Sequence, residues 1–549
     1  MPKITKKRRR ERKDVLANGL FNIPGLTGEA DNSLETCLAE FGTATAVPLF
    51  KTEKTSHEPL ETHSHQTRNI NVTSTEIIKP KDQSFFAACP SHTKDLSDRV
   101  SRWNREFRTF VDQGTYTPGL LPSFDVEVAR HFQVKDLSVY LLESCPGIKI
   151  PAFERWLIDS KIEERQRIAL NQEELSQHND LILSHTTLEY GASQRLVAEL
   201  SDAGVSQDRA IKAVKELCRR TQAAIPELAS QTRRFALRTP LRKGDRIDVV
   251  KDSRVFSLVF HRKSWKKPFR VKINVSHYHK LKTAFLRVHN SDHQLKPILL
   301  YDHGKPTKAI HSFHLIIMSL LLRYSALSGG QLLVDLRGGG MQGAVHDEVF
   351  EALQTCFPNE SFLECFASPL NCYAANFGSA FTDIDFHFGS VGDFLDQSIS
   401  HGVCEANPPF SPGLMDTMVD RIEYNLTLAD QTSSCLTFVV IIPTASTSED
   451  VRTAKRFATK SFQRMLGSAA CRLHISLAAR DHGYIEGAQH LRPTRYKESN
   501  FDTSVILLQS SAARKENIDE NNLEKRLRSA FTSRHKAEVD TRKEQELSE

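Results

Sequence analysis

The 549 residues of this chain contain no apolar stretch of membrane-spanning length. The longest run, Leu315–Leu322 in HLIIMSLLLRYSAL, is interrupted by Ser319 and stops short of the roughly 18 apolar residues that a span needs. It is expected to be a buried core helix, and no membrane contact is expected. Ten cysteines are scattered without a CxxC pair, and Cys365 with Cys372, the nearest approach to a metal spacing, has no second pair to complete a site. Reduced, mostly buried thiols follow, and no metal site: His303, His311 and His314 are close in sequence but lack a completing ligand pattern. Behind MPKITKKRRRERKD there is no apolar segment of the kind that opens a secretory leader, so secretion is not expected. No internal repeat is visible either.

What is present is a chain with 39% hydrophobic residues, long enough for two or three domains, and a net charge of +6 that is unevenly spread. Lys6, Lys7, Arg8, Arg9, Arg10, Arg12 and Lys13 form one cluster, which suits a nuclear-localisation signal, a nucleic-acid arm or a solvated tail. Two further basic stretches cover Arg233 to Arg246 and Phe260 to Lys272. In the second, Phe260, Trp265 and Phe269 interleave with the cations, either to stack on bases or to face a core from a basic hairpin.

Composition and periodicity divide the chain. Residues 1–90, rich in Ser, Thr, His and Lys without a sustained period, are expected to be a disordered basic region. Residues 91–300 read as mainly helical, with apolar positions three and four apart and breaks at Asp202 to Gly204 and Pro226. That region closes on strand-like runs in RIDVVKDSRVFSLVFHRKSWKKPFRVKINVSHY. Residues 301–512 alternate helical patterns with the strand-like SFLECFA, GVCEA, CLTFVVIIP and TSVILLQS, which argues an α/β domain on a mostly parallel sheet. Residues 513–549 form a charged tail with some helical spacing in NNLEKRLRSAF but little to bury.

Immediately after GVCEA stands NPPF, Asn407 to Phe410. Ligands of such sheets bind beyond the carboxyl ends of the strands. An amine on an aromatic ring is a poor nucleophile because its lone pair is delocalised into the ring. A carboxamide oxygen and a backbone carbonyl that accept its two hydrogens would favour a pyramidal nitrogen, its lone pair aimed at an electrophile. Asn407 supplies the first acceptor and Pro408 the second. Pro408 and Pro409 restrict the loop, and Phe410 is placed to stack on the base. A sulfonium methyl suits such an amine as electrophile. Asn-Pro also begins ordinary turns, so a surface turn is the plain alternative.

The segment LECFASPLNCYAANFGSAFTDIDFHFGSVGDFL, followed by CEANPPF, GLMDTMVDRI, LTFVVIIP, GAQH and TSVILLQ, resembles the cap-specific adenosine N6-methyltransferases, also called phosphorylated-CTD-interacting factors. The likeness spans roughly residues 340 to 510. It implies a class I, Rossmann-like methyltransferase domain preceded by a helical RNA- and cap-binding domain. It further implies S-adenosylmethionine as cofactor, capped mRNA as partner, and N6-methylation of the adenosine beside a 7-methylguanosine cap; a nuclear location is expected from the basic cluster at Lys6 to Lys13.

In that family the residues matching Asn407, Pro408, Pro409 and Phe410 hold the target adenine. For the cofactor two segments compete, QLLVDLRGGGMQG at Gln331 to Gly343 and LECFASPLN at Leu363 to Asn371. The second resembles the Glu-x-Phe loop of adenine-N6 methyltransferases. It makes Glu364, Ala367, Ser368 and Asn371 cofactor candidates, with Asp385 of TDID following at a distance that suits ribose hydroxyls. Glu364 could equally be a strand-end acid, and Asp383 and Asp385 turn caps. Arg102, Arg105 and Arg155 are the candidates for cap phosphates, against the plainer reading of solvated helix charges.

The chain also departs from the family. Pro412 stands where vertebrate members have an acid, and Thr444, Ala445 and Ser446 stand where an aromatic follows the Ile-Pro turn. Trp103, Trp156 and Trp265 cannot supply the two tryptophans, about twenty residues apart, of a WW module, so WW-mediated polymerase-tail binding is not expected. Two other readings stay open: a catalytically degenerate cap- or RNA-binding protein on the same fold, and an N6-adenine methyltransferase acting on DNA or internal RNA. Oligomeric state is not readable from the sequence.

Overall fold

A computed structural model describes residues 124–170, 180–235, 244–252, 255–290, 299–302, 305–330, 341–444, 460–487, 496–516 and 518–548. The basic cluster at residues 6–13, Arg102, Arg105, most of the glycine-rich stretch and Ala445 lie outside the described residues. Ser91–His261 and Phe269–Glu549 group as one unit. The turn Arg262–Pro268 falls in the other unit, and within it the Arg262 guanidinium lies 5.0 Å over the Trp265 ring.

Four helices come first: α1 (Phe124–Ser144), α2 (Ile150–Ala169), α3 (Gly191–Asp202) and α4 (Gln207–Phe235). Pro151 sits in the first turn of α2, where its missing N–H costs nothing. The break after α3 is as the sequence suggests, with Gly204 at a φ of +90° that favours glycine. Pro226, expected to end a helix, lies inside α4 instead. Burial of Ile225, Leu228 and Ala229 on either side offsets the hydrogen bond that the proline forfeits.

Strands β1 (Arg246–Asp252), β2 (Val255–His261) and β3 (Phe269–Asn274) form an antiparallel sheet. The strand pattern stops at Asn274, whose side chain accepts the Ser276 N–H at 2.9 Å and starts α5 (Val275–His289), a helix where the apolar alternation suggests strand. Phe260 is fully buried with its ring 4.6 Å from that of Phe124, and Phe269 meets Phe124 at 6.0 Å. Phe260 therefore serves packing, and the half-buried Phe269 packs one edge on Phe124.

A small hairpin, β4 (Tyr301–Asp302) and β5 (Lys305–Pro306), leads into α6 (Lys308–Leu327). By composition its Ala309–Leu327 stretch, of mean hydropathy 1.4, is apolar enough to cross a membrane, contrary to the sequence expectation, but 83% of that stretch is buried inside the protein. It behaves as a core helix.

Then follow β6 (Gly343–Ala344), α7 (Asp347–Cys356), β7 (Phe362–Glu364), β8 (Phe377–Gly378), the short α8 (Thr382–Asp385) and β9 (Ser390–Gly392). Next come β10 (Gly402–Ala406), α9 (Pro412–Gln431), β11 (Leu436–Pro443), α10 (Lys460–Gly467) and β12 (Cys471–Leu477). The chain ends with β13 (Gly483–Glu486), β14 (Tyr496–Glu498), β15 (Thr503–Gln509) and α11 (Glu520–Ser548).

Seven strands make the main sheet in the order β12-β15-β11-β10-β7-β8-β9. The ladders joining β11, β10, β7, β8 and β9 are parallel, and β15 is antiparallel to both of its neighbours. Because side chains alternate along a strand, β11 sends Phe438, Val440 and Ile442 to a core shared with α9, and Val439 and Ile441 to one shared with α7 and α11. The expectation of a tail with little to bury is thus corrected: α11 buries Leu523, Leu527, Ala530 and Phe531.

The helices are tied to the sheet by a buried chain of charges. Arg130 on α1 grips Asp180 through Nε at 2.8 Å and Glu127 through Nη1 at 2.6 Å. Arg323 on α6, 1% exposed, donates from Nε to Glu127 at 2.7 Å and from Nη2 to Asp383 at 3.0 Å. Burial alone would raise the Asp180 and Asp383 carboxyls, but the two guanidiniums hold both below the usual range. Replacing Arg323 by Met leaves the buried Glu127 with Arg130 as its remaining cation among the described residues and the half-exposed Asp383 without its guanidinium partner. Urea unfolding of R323M is expected to show a loss of about 3–5 kcal/mol.

Candidate functional site

The parallel strand order reverses between β7 and β10. From β7 the chain steps outward to β8 and β9, then returns to β10 on the other side of β7 and continues to β11. Loops leaving two such strands splay to opposite faces, and the crevice between them is where a doubly wound sheet takes its ligand. Those loops are Cys365–Asn371 and Asn407–Phe410.

A cavity of about 370 Å³ lies there, within the range of small-molecule sites. Ala367, Ser368 and Asn371 line it from the first loop, Asn407 and Pro409 from the second, and Leu157, Ile158 and Ile162 of α2 face them. Met341–Gly343, the described end of the glycine-rich stretch, also contribute, so the two segments that compete as a cofactor site in the sequence share one wall.

Hydrogen bonds fix the polar groups. Asn371 Oδ1 accepts from Ser368 N at 2.7 Å and Oγ at 2.9 Å, and its Nδ2 donates to the Gln342 carbonyl at 3.0 Å. Asn407, 4% exposed, donates from Nδ2 to the Gly343 carbonyl at 3.3 Å. That bond fixes the amide's orientation and leaves Asn407 Oδ1 without a partner among the described residues. Gln342 Oε1 is likewise without one. Gly378 is required beneath this wall because a Cβ there would meet the Cys365 carbonyl at 2.4 Å.

Other candidates stand off the wall. Pro408 is buried, and Phe410 turns edge-on to Phe501 at 5.4 Å and Tyr484 at 6.0 Å. Glu364, 2% exposed, accepts the N–H groups of Tyr373 and Ala374 at 2.9 and 3.1 Å, where it organises the loop after β7. Asp385 is fully buried behind Tyr324, whose hydroxyl donates to Oδ2 at 2.6 Å; burial raises its carboxyl to about 7. Tyr324 itself lines the cavity. Arg155 is paired with Glu199 between α2 and α3, away from the lining.

Three residues escape sequence reasoning. Asp393, just past β9, lines the cavity and is held by Arg165 Nη1 at 2.6 Å; no local pattern singled it out. Tyr324 had none, lying within an apolar helix pattern. Asp159 of α2 reaches the exit of the Asn407 loop, where it accepts from the Ser411 hydroxyl and from Leu414 N at 3.2 Å. It thereby caps α9 from another helix, a role invisible across 255 residues of sequence.

Residues 296–487 match the family described as the phosphorylated CTD interacting factor 1 WW domain. The matched stretch contains the crevice and no tryptophan. The chain is 38% identical over 196 residues to the mRNA (2'-O-methyladenosine-N(6)-)-methyltransferase of Homo sapiens, and 37% identical over 196 residues to that of Mus musculus. Each match covers 35% of this chain and 25% of the relative, so the likeness spans a quarter of the relatives' length.

Asp159→Ala removes the acceptor for Ser411 and Leu414 and strands Arg195, which pairs with it at 3.1 Å. Thermal unfolding of D159A is expected to report a loss of about 1–3 kcal/mol.

Proposed function

As a chain belonging through residues 296–487 to the phosphorylated CTD interacting factor family, this protein is, we propose, an S-adenosylmethionine-dependent methyltransferase acting on N6 of the adenosine beside the cap of mRNA. The observation that carries the reading is Asn407 Oδ1, a buried acceptor without a partner in the wall of a cavity at the sheet's switch point. Support for the Rossmann-like class comes from the strand order, parallel strands stepping out from β7 and returning through β10. Support for the substrate comes from the names of the relatives.

The cavity suits the cofactor. Its volume is in range, Leu157, Ile158 and Ile162 give an apolar side, and the small Ala367 and Ser368 leave clearance opposite. When bound, S-adenosylmethionine supplies an electrophilic methyl on a sulfonium. The protein's share is orientation. Asn407 Oδ1 accepts one hydrogen of the adenine amine, and its carboxamide cannot rotate away because Nδ2 is tied to Gly343. The amine lone pair then leaves conjugation with the ring and points along the line of transfer. Asn371, tied to the neighbouring Gln342 carbonyl, keeps the opposite loop in register with this one. Leu157, Ile158 and Ile162 exclude water, which strengthens each hydrogen bond inside.

A nuclear site of action accords with the basic cluster at residues 6–13. The test is transfer of tritiated methyl from S-adenosylmethionine to short RNAs that start with A or G, capped or uncapped, and to DNA. Label is expected only in capped RNA starting with A, with Asn407→Ala lowering kcat/KM by about 100-fold. Label in DNA or uncapped RNA would replace the substrate assignment. Absence of label from a folded protein that still binds capped RNA would overturn the enzyme reading in favour of a binding protein on the same fold.

A further inference from the structure

Beneath the two loops, strands β7 and β10 carry a pair of carboxyls that methyl transfer does not use. Glu364 and Glu405 are register partners on these adjacent parallel strands, and each is 2% exposed. Partners in a parallel ladder direct their side chains to the same face, so the two stand side by side. Glu364 Oε2 takes both backbone N–H groups of Tyr373 and Ala374. Glu405 Oε1 has no partner among the described residues.

The groups facing the pair come from several elements. Lys280 of α5 is on the Glu364 side, its Nζ also donating to the Cys372 carbonyl at 2.7 Å, and Asp347 of α7 adds a further negative charge. Tyr484 of β13 faces Glu405 and donates or accepts at Thr503 Oγ1, 2.7 Å away. The Cys372 thiol also lies on the Glu364 side, whereas Cys365 and Cys404, one residue along each strand, project to the opposite face of the sheet. Lys280 is therefore the one cation among these neighbours, set against three carboxyls.

We propose that Glu364 and Glu405 share a single proton, and that this neutralised pair holds the loops after β7 and β10 at the spacing the cavity needs. Two buried carboxyls side by side do not both ionise at neutral pH. Glu364, with two backbone donors, is the natural anion, and Glu405 is the natural acid, donating towards the Glu364 oxygen that the backbone leaves free. The electrostatics agree: burial raises Glu364 to about 7, while burial and then the Glu364 charge push Glu405 well above the usual carboxyl range. They titrate as a pair.

The position of the pair gives it leverage. Glu405 is the penultimate residue of β10, two before Asn407 at the start of the loop, and Tyr484, its other neighbour, lies against the Phe410 ring. Glu364 opens the loop that lines the opposite wall. Losing the shared proton places two bare charges at the root of both loops, which relieve their repulsion by moving apart. Both residues are positioning residues.

The sign of the pH effect follows from proton counting. Both carboxyls are raised above their ordinary value of 4.5, so the folded protein holds a proton that the unfolded chain has already lost. Stability from the pair is full below about pH 4.5 and declines as pH rises towards and through the raised folded values.

The experiment uses the full chain, with Glu405→Gln, which keeps a hydrogen-bond donor without a second charge, and Glu405→Leu. Unfolding equilibria are measured without ligand between about pH 6 and about pH 9. The ratio of wild-type to variant unfolding constants is expected to rise by about tenfold per pH unit through the titration. In parallel, wild-type KM for S-adenosylmethionine is expected to climb with pH while that of E405Q stays flat. Glu405→Leu carries the stability comparison if E405Q does not fold. Parallel stability curves for wild type and variants across this range would overturn the proposal. The stability arm stands apart from the proposed reaction. A wild type that transfers no methyl at any pH would overturn that reaction, with the unfolding data still deciding the shared proton.

Discussion

Arg323 has no route to water, so its charge must be met inside the protein. Glu127 meets it from α1 and Asp383 from α8, and Arg130 extends the chain to Asp180. Taking such ions out of water is costly, and their mutual attraction compensates only when the geometry is closely kept. That demand couples three places. Asp180 edges the cavity, Phe381 beside Asp383 lines it, and α1 is drawn onto α6. The helices and the sheet edge thus share one arrangement, and the cavity is the space left between them.

Within that frame the sheet's topology does the rest. Strand order reverses between β7 and β10, which separates the loops that follow and leaves a crevice. The same crossing puts Gln342 and Gly343 between the loops, where their carbonyls take one amide hydrogen from Asn371 and one from Asn407. The result is asymmetric: each asparagine is tied by its nitrogen, and at Asn407 the oxygen is left for a ligand. A water-filled turn would satisfy both ends. Burial at 4% exposure is what keeps the oxygen available as a fixed acceptor.

Acidic residues show how environment divides one chemistry among several tasks. Asp159 caps a helix that belongs to another part of the chain, Asp385 receives a tyrosine hydroxyl, and Asp383 neutralises an arginine. Glu364 and Glu405 are left to manage each other's charge at the root of the site. None of these tasks is written in the residue type. Basic and aromatic residues show the same division, since Phe260 and Phe269 fill the packing between α1 and the small sheet although cations surround them in sequence.

The sequence alone determined most of the elements and the position of the Asn407 loop at a strand end. Period-two apolar runs make strands, three- and four-residue spacing makes helices, and Asn-Pro-Pro after GVCEA ends a strand, because all of these depend on neighbours a few residues away. Ala367, Ser368 and Asn371 were legible as one loop for the same reason. Only the tertiary structure decided that Glu364 and Asp385 turn towards protein partners, that Pro226 stays inside a helix, and that α11 docks through Phe531. Burial and charge pairing are settled by groups far away in the chain, as with Arg323 and Glu127, which stand 196 residues apart. Local pattern fixes what each segment is, and desolvation across such distances fixes which of its side chains face the cavity.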